Sequence, residues 1–282
     1  MKGEVAASPF SLVHPLVKQP AIFGILNVTS DSFSDGGRYL DTDAALAHAR
    51  VMADADVIDI GAAASNPLSQ QIDPEIEIAR LAPVVSALHS EGRTISIDTF
   101  STPVQRWALT QPVAYLNDIH GFSDPSIYFD LASASAKLVV MHAIQREGRA
   151  TEVDADPEAV FDGILAFFHA RLNQLIGAGV ERSRLIVDPG MGFFLGSRPE
   201  SSFNVLRQMG RLKAEFGLPV FISVSRKSFL RKITGREPAQ SGPATLAAEL
   251  FAARQGADFI RTHDPAAFHD AWQIERKLTD PK

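Results

Sequence analysis

Short apolar stretches alternate along the chain with longer segments in which apolar residues recur every three or four positions. The short stretches are rich in Val, Ile, Leu and Phe, as buried parallel strands are. The longer segments predict amphipathic helices, and the one after Pro157 carries Phe161, Ile164, Phe168 and Leu172 on one stripe. The predicted strands cover residues 21–28, 57–61, 94–99, 114–119, 137–142, 184–188, 219–225 and 258–263.

This order of strand and helix, repeated eight times, predicts an α/β fold with a parallel sheet. Eight units favour a closed (β/α)8 TIM barrel over an open doubly wound sheet, and no G-x-G-x-x-G motif follows the first strand. Such barrels take ~250 residues, so the 282 residues fit a single domain. We expect residues 1–20 to be an N-terminal extension and residues 21–282 to form the barrel domain.

Composition narrows the classes of function. The net charge of −6 gives no electrostatic case for a nucleic-acid surface, so an anionic ligand has to be held by a few local cations. The chain has no cysteine, which excludes disulfides, thiolate metal sites and a cysteine nucleophile. Residues 1–20 lack a continuous apolar segment, so we expect no signal peptide or membrane span and a cytoplasmic protein.

The ends of the predicted strands carry polar or small residues. In a parallel barrel all these ends meet on one face, where active sites lie and where the last two strands often bind phosphate. The last two strands run into residues 225–228 (Ser-Arg-Lys-Ser) and 261–263 (Arg-Thr-His). The six strands before them end at Asn27, Gly61, Asp98, Asn117, His142 and Asp188.

The alternation of side chains along a strand predicts which of these residues face the barrel interior. Ile95 and Ile97 should face the helices, which turns Ser96 and Asp98 inward. The same phase turns Asp59, Arg261 and His263 inward. A buried polar layer is costly unless its groups pair with one another or bind a ligand.

Each polar residue also has a purely structural explanation. Asp188 precedes Pro189 and Gly190 and could shape a turn, Asp118 could cap a helix or form a turn, and His142 could be a satisfied core histidine. Arg226 could be a surface cation. Their joint occurrence at consecutive strand ends favours a functional site.

The residue types indicate a ligand with two unlike ends. Asp98, Asn117 and Asp188 suit the adjacent N–H donors of a 2-amino-4-oxo-pyrimidine edge, and Lys227 can donate to a ring atom. Arg261, His263 and Arg226 predict a cationic pole, reinforced by helix N–H groups after Ser228. This pole suits an anion that departs as a leaving group.

These motifs resemble those of the dihydropteroate synthases, in the same order along the chain. The likeness runs from about residue 23 to the end of the last strand, and an ordered set of this length is highly specific. The matching segments are 23–29, 31–37, 97–99, 117–119, 188–193, 225–228 and 261–263.

The resemblance implies condensation of 6-hydroxymethyl-7,8-dihydropterin diphosphate with p-aminobenzoate, giving 7,8-dihydropteroate and diphosphate for folate synthesis. It implies Mg²⁺ as cofactor, bridging Asn27 and the phosphates, and a homodimer. The implied catalytic residues are Asp98, Lys227, Arg261 and His263. The implied binding residues are Asp98, Asn117, Asp188 and Lys227 for the pterin, Asn27, Arg261 and His263 for the diphosphate, and Ser65, Pro67, Phe193, Phe194 and Ser228 for p-aminobenzoate.

Two segments depart from the family pattern. The second loop, usually G-x-E-S-T-R-P, has Ser65 and Asn66 in place of Thr-Arg, and asparagine cannot replace a bidentate cation. The segment 192–197 is also altered, with Phe194 as an additional aromatic residue. This pattern resembles the sulfonamide-insensitive subgroup, so we hypothesise that Phe194 excludes the branched sulfonyl group and admits the flat carboxylate.

Two rival interpretations stay open. A pterin-dependent methyltransferase shares the barrel and the pterin residues but should lack the loop at 31–37 and the cations for diphosphate. A pterin-binding protein that has lost catalysis with its Thr-Arg pair would bind the pterin diphosphate without turnover, although Asn27, Arg261 and His263 are intact.

Overall fold

The computed structural model of the protein describes residues 18–28, 38–63, 72–144 and 154–279. Within them, eight strands alternate with helices, and the predicted single-domain TIM barrel is confirmed. The proposed extension at residues 1–20 lies mostly outside the described residues, so that boundary stays a prediction. No helix in the described ranges is long and apolar enough to cross a membrane.

The observed strands fall within the predicted ones, and most differ by only a residue or two at an end. They are β1 (Ala21–Asn27), β2 (Val57–Gly61), β3 (Ile95–Asp98), β4 (Tyr115–Asp118), β5 (Lys137–Met141), β6 (Leu185–Asp188), β7 (Phe221–Ile222) and β8 (Phe259–Thr262). The helices are α1 (Arg38–Val51), α2 (Pro74–Ser90), α3 (Thr102–Leu109), α4 (Tyr128–Ser133), α5 (Pro157–Gly177), α6 (Pro199–Arg207), α7 (Met209–Phe216), α8 (Ser228–Thr234), α9 (Gly242–Arg254) and α10 (Pro265–Thr279).

All strand pairs are parallel, in the order β6-β5-β4-β3-β2-β1-β8-β7. Between β6 and β7 a single bridge joins Val187 to Val220 and nearly closes the barrel. β7 is much shorter than predicted, because ladder pairing with β8 is limited to Phe221 and Ile222. The barrel is therefore joined more weakly on this side than at its other strand pairs.

Local sequence signals explain where two long helices begin. Asp73 accepts a hydrogen bond from the Glu75 amide at 2.8 Å, and Pro74 is the first residue of α2. Asp156 caps α5 in the same way, ahead of Pro157. Both are carboxylate caps followed by proline, which lacks an N–H that would need a partner there.

Aromatic residues fill the lower half of the barrel. The Phe23 ring packs edge-on against Tyr115, Phe221 and Phe259, with centroid distances of 4.9, 5.0 and 5.5 Å. Two residues further along most of the strands, the interior positions become polar, as at Asp59, Asn117 and Asp188. This aromatic layer is thus the floor of a polar chamber at the C-terminal ends of the strands.

Candidate active site

The polar chamber is built from strand ends that the barrel brings side by side. Asp98 and Asn117 are paired in register on β3 and β4. Asp188 ends β6, and Arg261 lies on β8. Side chains two residues apart on a strand point the same way, so these groups share the interior with the aromatic floor.

Arg261 is the centre of the chamber. Its Nε donates to Asp59 Oδ2 at 2.5 Å and its Nη2 donates to Asp98 Oδ2 at 2.7 Å. The Arg261 side chain is only 14% exposed. The predicted inward phases of Asp59, Asp98 and Arg261 are confirmed, while Ile95 and Ile97 pack into the cluster between barrel and helices.

Burial shifts the pKa values of three site residues towards neutrality. It raises the pKa of Asp98 to about 7, and the nearby Arg261 opposes that shift. Burial raises the pKa of Asp188 to about 6, opposed by a hydrogen bond from the Gly190 amide and by the charge of Lys227. Burial together with Arg261 lowers the pKa of Lys227 to about 8. Clustered groups with shifted pKa values are typical of functional sites.

His263 does not carry the positive charge that the predicted cationic pole would require. Its Nδ1 lies 2.9 Å from Ser225 Oγ, and the Ser225 hydroxyl also accepts a hydrogen bond from the His263 amide. Burial, assisted by the charges of Arg226 and Arg261, lowers the pKa of His263 to about 3. The imidazole is therefore neutral at pH 7 and offers a hydrogen bond rather than a charge.

Several interior polar atoms are buried without a hydrogen-bond partner among the described residues. They are Asp59 Oδ1, Ser96 Oγ, Asn117 Oδ1 and Ser223 Oγ. Buried polar atoms in folded proteins are nearly always paired. Their concentration on the interior faces of the strands indicates room for a polar ligand or for ordered water.

The wall of the chamber beyond β6 is a tight loop and a short 3-10 helix, Gly192–Leu195. Gly190 has a φ of 76°, and an added Cβ would come within 2.3 Å of the His142 carbonyl oxygen. A Cβ on Gly192 would lie 3.1 Å from Ser228 Oγ. The turn therefore lies close against the His142 backbone at Gly190 and against the first residue of α8 at Gly192, and Ser228 is buried there.

Two phenylalanines project from this turn. Phe193 is 39% exposed. Phe194 is half-buried, and Lys227 Nζ lies 4.8 Å from the centroid of its ring. The turn therefore presents an aromatic wall between Lys227 and the start of α8.

The structure brings together most of the predicted site residues. Asp98, Asn117, Asp188, Lys227, Arg261, His263, Phe193, Phe194 and Ser228 all lie around the C-terminal ends of the strands. Asn27 ends β1 there with an exposed side chain. Ser65 and Pro67 lie outside the described residues, as does the loop at 31–37, so the structure does not test their placement.

Two partners were not assigned a role from sequence. Asp59 shares Arg261 with Asp98, and Ser225 holds His263. The inward phase of Asp59 was visible in the strand pattern, but nothing in the sequence paired it with a residue 202 positions away. Ser225 lay within a matching motif and carried no further signal.

The side chains of the chamber limit how a metal ion could be bound there. No cluster of three or more His, Cys, Asp or Glu able to hold a metal occurs among the residues that the structure describes. Mg²⁺ commonly keeps several waters and takes only one or two protein ligands together with substrate phosphates. The exposed amide oxygen of Asn27 fits such a substrate-borne ion, and the site does not fit an all-protein metal cage.

The fold and this chamber agree with one class of protein. Residues 23–263 match the pterin binding enzyme family, which covers most of the chain. The chain belongs to this family.

Comparison with individual proteins narrows the class. The chain is 56% identical over 265 residues to dihydropteroate synthase type-2 of Escherichia coli, covering 93% of this chain and 97% of that one. It is 51% identical to the type-3 enzyme of Escherichia coli, covering 91% and 98%. Within its family the chain is thus a dihydropteroate synthase, and so a transferase.

Solved structures of dihydropteroate synthases have the same fold as this chain. A dihydropteroate synthase of Xanthomonas albilineans with 4-aminobenzoic acid superposes with a TM-score of 0.84 at 33% identity, covering 93% of this chain and 94% of that one. The same enzyme in complex with 7,8-dihydropteroate gives a TM-score of 0.80 at 33% identity, with the same coverage.

Proposed function

We propose that this synthase joins 6-hydroxymethyl-7,8-dihydropterin diphosphate to p-aminobenzoate and continues to do so in the presence of sulfonamides. The relative from Xanthomonas albilineans, whose structures contain 4-aminobenzoic acid and 7,8-dihydropteroate, supports these substrate and product classes. The roles of individual residues are those that the family resemblance implies, and the geometry of the chamber supports them.

Asp98, Asn117, Asp188 and Lys227 hold the pterin. Asp188 is buried, and its Oδ1 already accepts from the Gly190 amide at 2.8 Å, which fixes the carboxylate and leaves Oδ2 for ring N–H donors. The unpartnered Asn117 Oδ1 provides a further acceptor. A carboxylate and an amide at fixed positions suit the 2-amino-4-oxo edge of the ring.

Arg261, His263 and Asn27 hold the diphosphate. Arg261 is already paired with two carboxylates, so it contributes hydrogen-bond direction as well as charge. Neutral His263 can donate one hydrogen bond to a phosphate oxygen. Asn27 would supply a protein oxygen to Mg²⁺, which when bound neutralises charge on the diphosphate.

Catalysis requires no nucleophilic side chain. The bond between the pterin methylene carbon and the diphosphate oxygen breaks, and its electron pair leaves with the diphosphate. The lone pair of the p-aminobenzoate nitrogen then forms the new C–N bond, and the nitrogen loses one proton. Arg261 and Lys227 stabilise the charge that develops on the departing group, which is where preorganised cations contribute most.

The aromatic wall carries the proposal of sulfonamide insensitivity. Ser228 and the N–H groups at the start of α8 receive the carboxylate of p-aminobenzoate, and Gly192 packs directly against Ser228. Phe193 and Phe194 therefore stand beside the carboxylate end of the arylamine. A sulfonyl group is branched and tetrahedral where the carboxylate is flat, so this wall excludes it selectively.

The homodimer, the cytoplasmic location and the roles of Ser65 and Pro67 stay predictions. Sedimentation equilibrium across a range of protein concentrations tests the dimer. Alanine substitution of Ser65 or Pro67 tests the loop, because the KM for p-aminobenzoate should rise and the KM for the pterin diphosphate should not.

A steady-state assay with both substrates, Mg²⁺ and a series of sulfonamides tests the function. We expect dihydropteroate formation to persist at sulfonamide concentrations far above that of p-aminobenzoate. Ordinary competitive inhibition would remove the insensitivity and leave the synthase. Pterin diphosphate binding without any turnover would instead indicate an inactive pterin-binding barrel.

A further inference from the structure

The hydroxyl of Ser225 contacts His263 at two atoms. Its Oγ lies 2.9 Å from His263 Nδ1, and it accepts a hydrogen bond from the His263 amide at 3.2 Å. Ser225 is buried, with an exposed fraction of 5%. Among the residues that the structure describes, this hydroxyl has no other hydrogen-bond partner. The Ser225 side chain is thus committed to His263.

The position of the hydroxyl proton follows from these two contacts. A serine hydroxyl has one proton to donate and two lone pairs that can accept. If His263 Nδ1 carried a proton, Ser225 Oγ would accept twice, and its own buried proton would lack an acceptor, which is rare in folded proteins. If Nδ1 carries no proton, the hydroxyl donates to Nδ1 and accepts from the amide, so all three groups are satisfied. The contacts therefore favour the tautomer of neutral His263 that has its proton on Nε2.

Nε2 is the ring atom left to bind a ligand. The two nitrogens of an imidazole point in widely different directions, so a ring held at Nδ1 turns Nε2 away from Ser225. Nε2 has no hydrogen-bond partner within the described part of the chain. His263 is only partly buried, and Arg261 and Lys227 are close enough to lower its pKa. A ring N–H without a protein partner, beside two cations, suits an oxygen atom of an anionic ligand.

The backbone around Ser225 is fixed by the turn that follows β7. The Lys227 amide donates to the Val224 carbonyl at 3.1 Å, and the Arg226 amide donates to Thr245 Oγ1 at 3.1 Å. Arg226 has a φ of 58°, a left-handed conformation that is uncommon for residues other than glycine. Such a conformation persists only where its surroundings hold it. The Ser225 hydroxyl is therefore presented from a backbone that is held in place.

The contact lies where the barrel wall is weakly joined. Ladder pairing between β7 and β8 ends at Ile222 and Ile260. Ser225 and His263 lie beyond these residues, so the hydroxyl joins the two strand ends after backbone pairing has stopped. His263 therefore depends on Ser225, and not on the ladder, for its position.

We propose that Ser225 is a positioning residue that holds His263 with Nδ1 unprotonated and Nε2–H directed at a diphosphate oxygen. In this role Ser225 acts through His263 and does not itself bind the ligand. The inference rests on the proposed role of His263 in diphosphate binding. It adds the assignment of each proton: Ser225 donates to Nδ1, and Nε2 donates to the ligand.

The first test locates the ring proton in the wild-type enzyme. Long-range proton–nitrogen correlation spectra of ¹⁵N-labelled enzyme at neutral pH distinguish an unprotonated imidazole nitrogen, which resonates far downfield, from a protonated one. The His263 signals are those lost in His263→Gln. We expect Nδ1 unprotonated and Nε2 protonated, and saturation with inorganic diphosphate and Mg²⁺ should move the Nε2 signal. A protonated Nδ1, or calorimetrically detected diphosphate binding that leaves Nε2 unmoved, overturns the inference.

The second test removes the hydroxyl. In Ser225→Ala the other tautomer should become populated, so the shifts of the two ring nitrogens should move towards each other. We expect kcat/KM for the pterin diphosphate to fall by about tenfold, because a hydrogen bond to a charged group loses its direction. The KM for p-aminobenzoate should change by less than about twofold. Unchanged ring shifts or an unchanged kcat/KM would contradict a positioning role.

A second buried serine provides the matched control. Ser241 is fully buried, and its Oγ donates to the Pro238 carbonyl at 2.7 Å. Ser241→Ala removes a buried hydroxyl in the same way, so it should lower the Tm but leave both kcat/KM and the His263 spectrum unchanged. Equal kinetic losses in the two serine variants would count against Ser225.

A double variant separates an effect through His263 from an independent one. In a His263→Ala background, Ser225→Ala should cause little further loss of kcat/KM, and a loss that adds fully would overturn the inference. If Ser225→Ala does not fold, the wild-type spectra decide alone. Wild-type turnover is measured first: its absence would refute the proposed function, and the ring spectra with inorganic diphosphate would still decide the role of Ser225.

Discussion

The ammonium group of Lys227 lies 4.8 Å from the centroid of the Phe194 ring, which couples the pterin side of the chamber to its aromatic wall. A cation over an aromatic face is stabilised by ~0.5–2 kcal/mol, depending on desolvation. We therefore propose two separable roles for Phe194: shaping the space for the arylamine, and steadying Lys227, the lysine proposed to bind the pterin.

Phe194→Gly should restore sulfonamide inhibition. Removing the ring opens the space into which the sulfonyl group would project, so the inhibition constant should fall by about tenfold or more, equivalent to ~1.4 kcal/mol. Inhibition constants measured against varied p-aminobenzoate provide the test. Phe194→Leu is the matched control, because it removes the ring and keeps bulk, and it should remain largely insensitive. If the inhibition constants do not change in Phe194→Gly, Phe194 is not the obstacle.

Asp59→Ala should destabilise the protein strongly. Asp59 is fully buried and bonded to Arg261, and removing one partner of a buried ion pair typically costs ~3–5 kcal/mol. We expect the unfolding free energy from urea titration to fall by about 3 kcal/mol and kcat/KM for the pterin diphosphate to fall as well.

A surface ion pair is the control for Asp59. Arg50 and Glu91 are also in contact, at 2.6 Å, but their side chains are 58% and 33% exposed. Glu91→Ala should therefore lower the unfolding free energy far less than Asp59→Ala, because solvent screens an exposed pair, and it should leave the kinetics unchanged. Equal losses in the two variants would contradict a special role for the buried pair.

The pH dependence of kcat/KM for the pterin diphosphate should be bell-shaped. Asp188 must be ionised to accept two N–H bonds, and its pKa of about 6 sets the rising limb. Lys227 must be protonated to donate, and its pKa of about 8 sets the falling limb. kcat/KM reports the pKa values of the free enzyme, which is the state described here.

The Lys227→Arg variant tests which residue causes each limb of the pH profile of kcat/KM. Its guanidinium stays protonated throughout the range, so the falling limb should disappear while the rising limb stays near pH 6. A wild-type kcat/KM that stays constant from well below pH 6 to well above pH 8 would show that neither group controls activity in the free enzyme.

Asn27 should determine the Mg²⁺ requirement. Asn27→Ala removes the protein oxygen proposed for the ion, so the Mg²⁺ concentration for half-maximal rate should rise by about tenfold or more, because loss even of a residue that only supports a metal ligand typically costs about 10- to 100-fold. The KM for p-aminobenzoate should not change. Asn27→Asp retains an oxygen and adds charge, and it should need no more Mg²⁺ than the wild type. An unchanged Mg²⁺ dependence in Asn27→Ala would remove this residue from the metal site.

The fold was predictable because apolar residues recur at different spacings in helices and strands, and because the strands of this chain are almost wholly apolar. Phase along a strand predicted the inward placement of Asp59, Ser96 and Asp98, since a one-residue error would have buried none of them in the chamber. β7 was predicted too long because 219–225 is apolar throughout, and hydrophobicity does not reveal where ladder pairing stops.

Other features of the site could not be inferred from sequence. The neutral state of His263 depends on burial and on neighbouring cations that come from distant parts of the chain. Glu77 and Glu249 resemble ordinary helix acids, and only the structure shows that both are almost fully buried. These properties depend on residues that are close in space but distant in sequence, so the pattern of apolar and polar residues along the chain does not predict them.

The bond between Arg261 and Asp59 joins residues separated by 202 positions in sequence. During synthesis on a ribosome, the carboxylates of β2 and β3 emerge long before the arginine that neutralises them. Until β8 has been added, the nascent chain has two acidic groups in its unfinished interior and no cation from that strand to pair with them. The last strand thus completes both the barrel wall and the charge balance of its chamber, so a chain released before β8 would lack a working site even if its earlier strands had already associated.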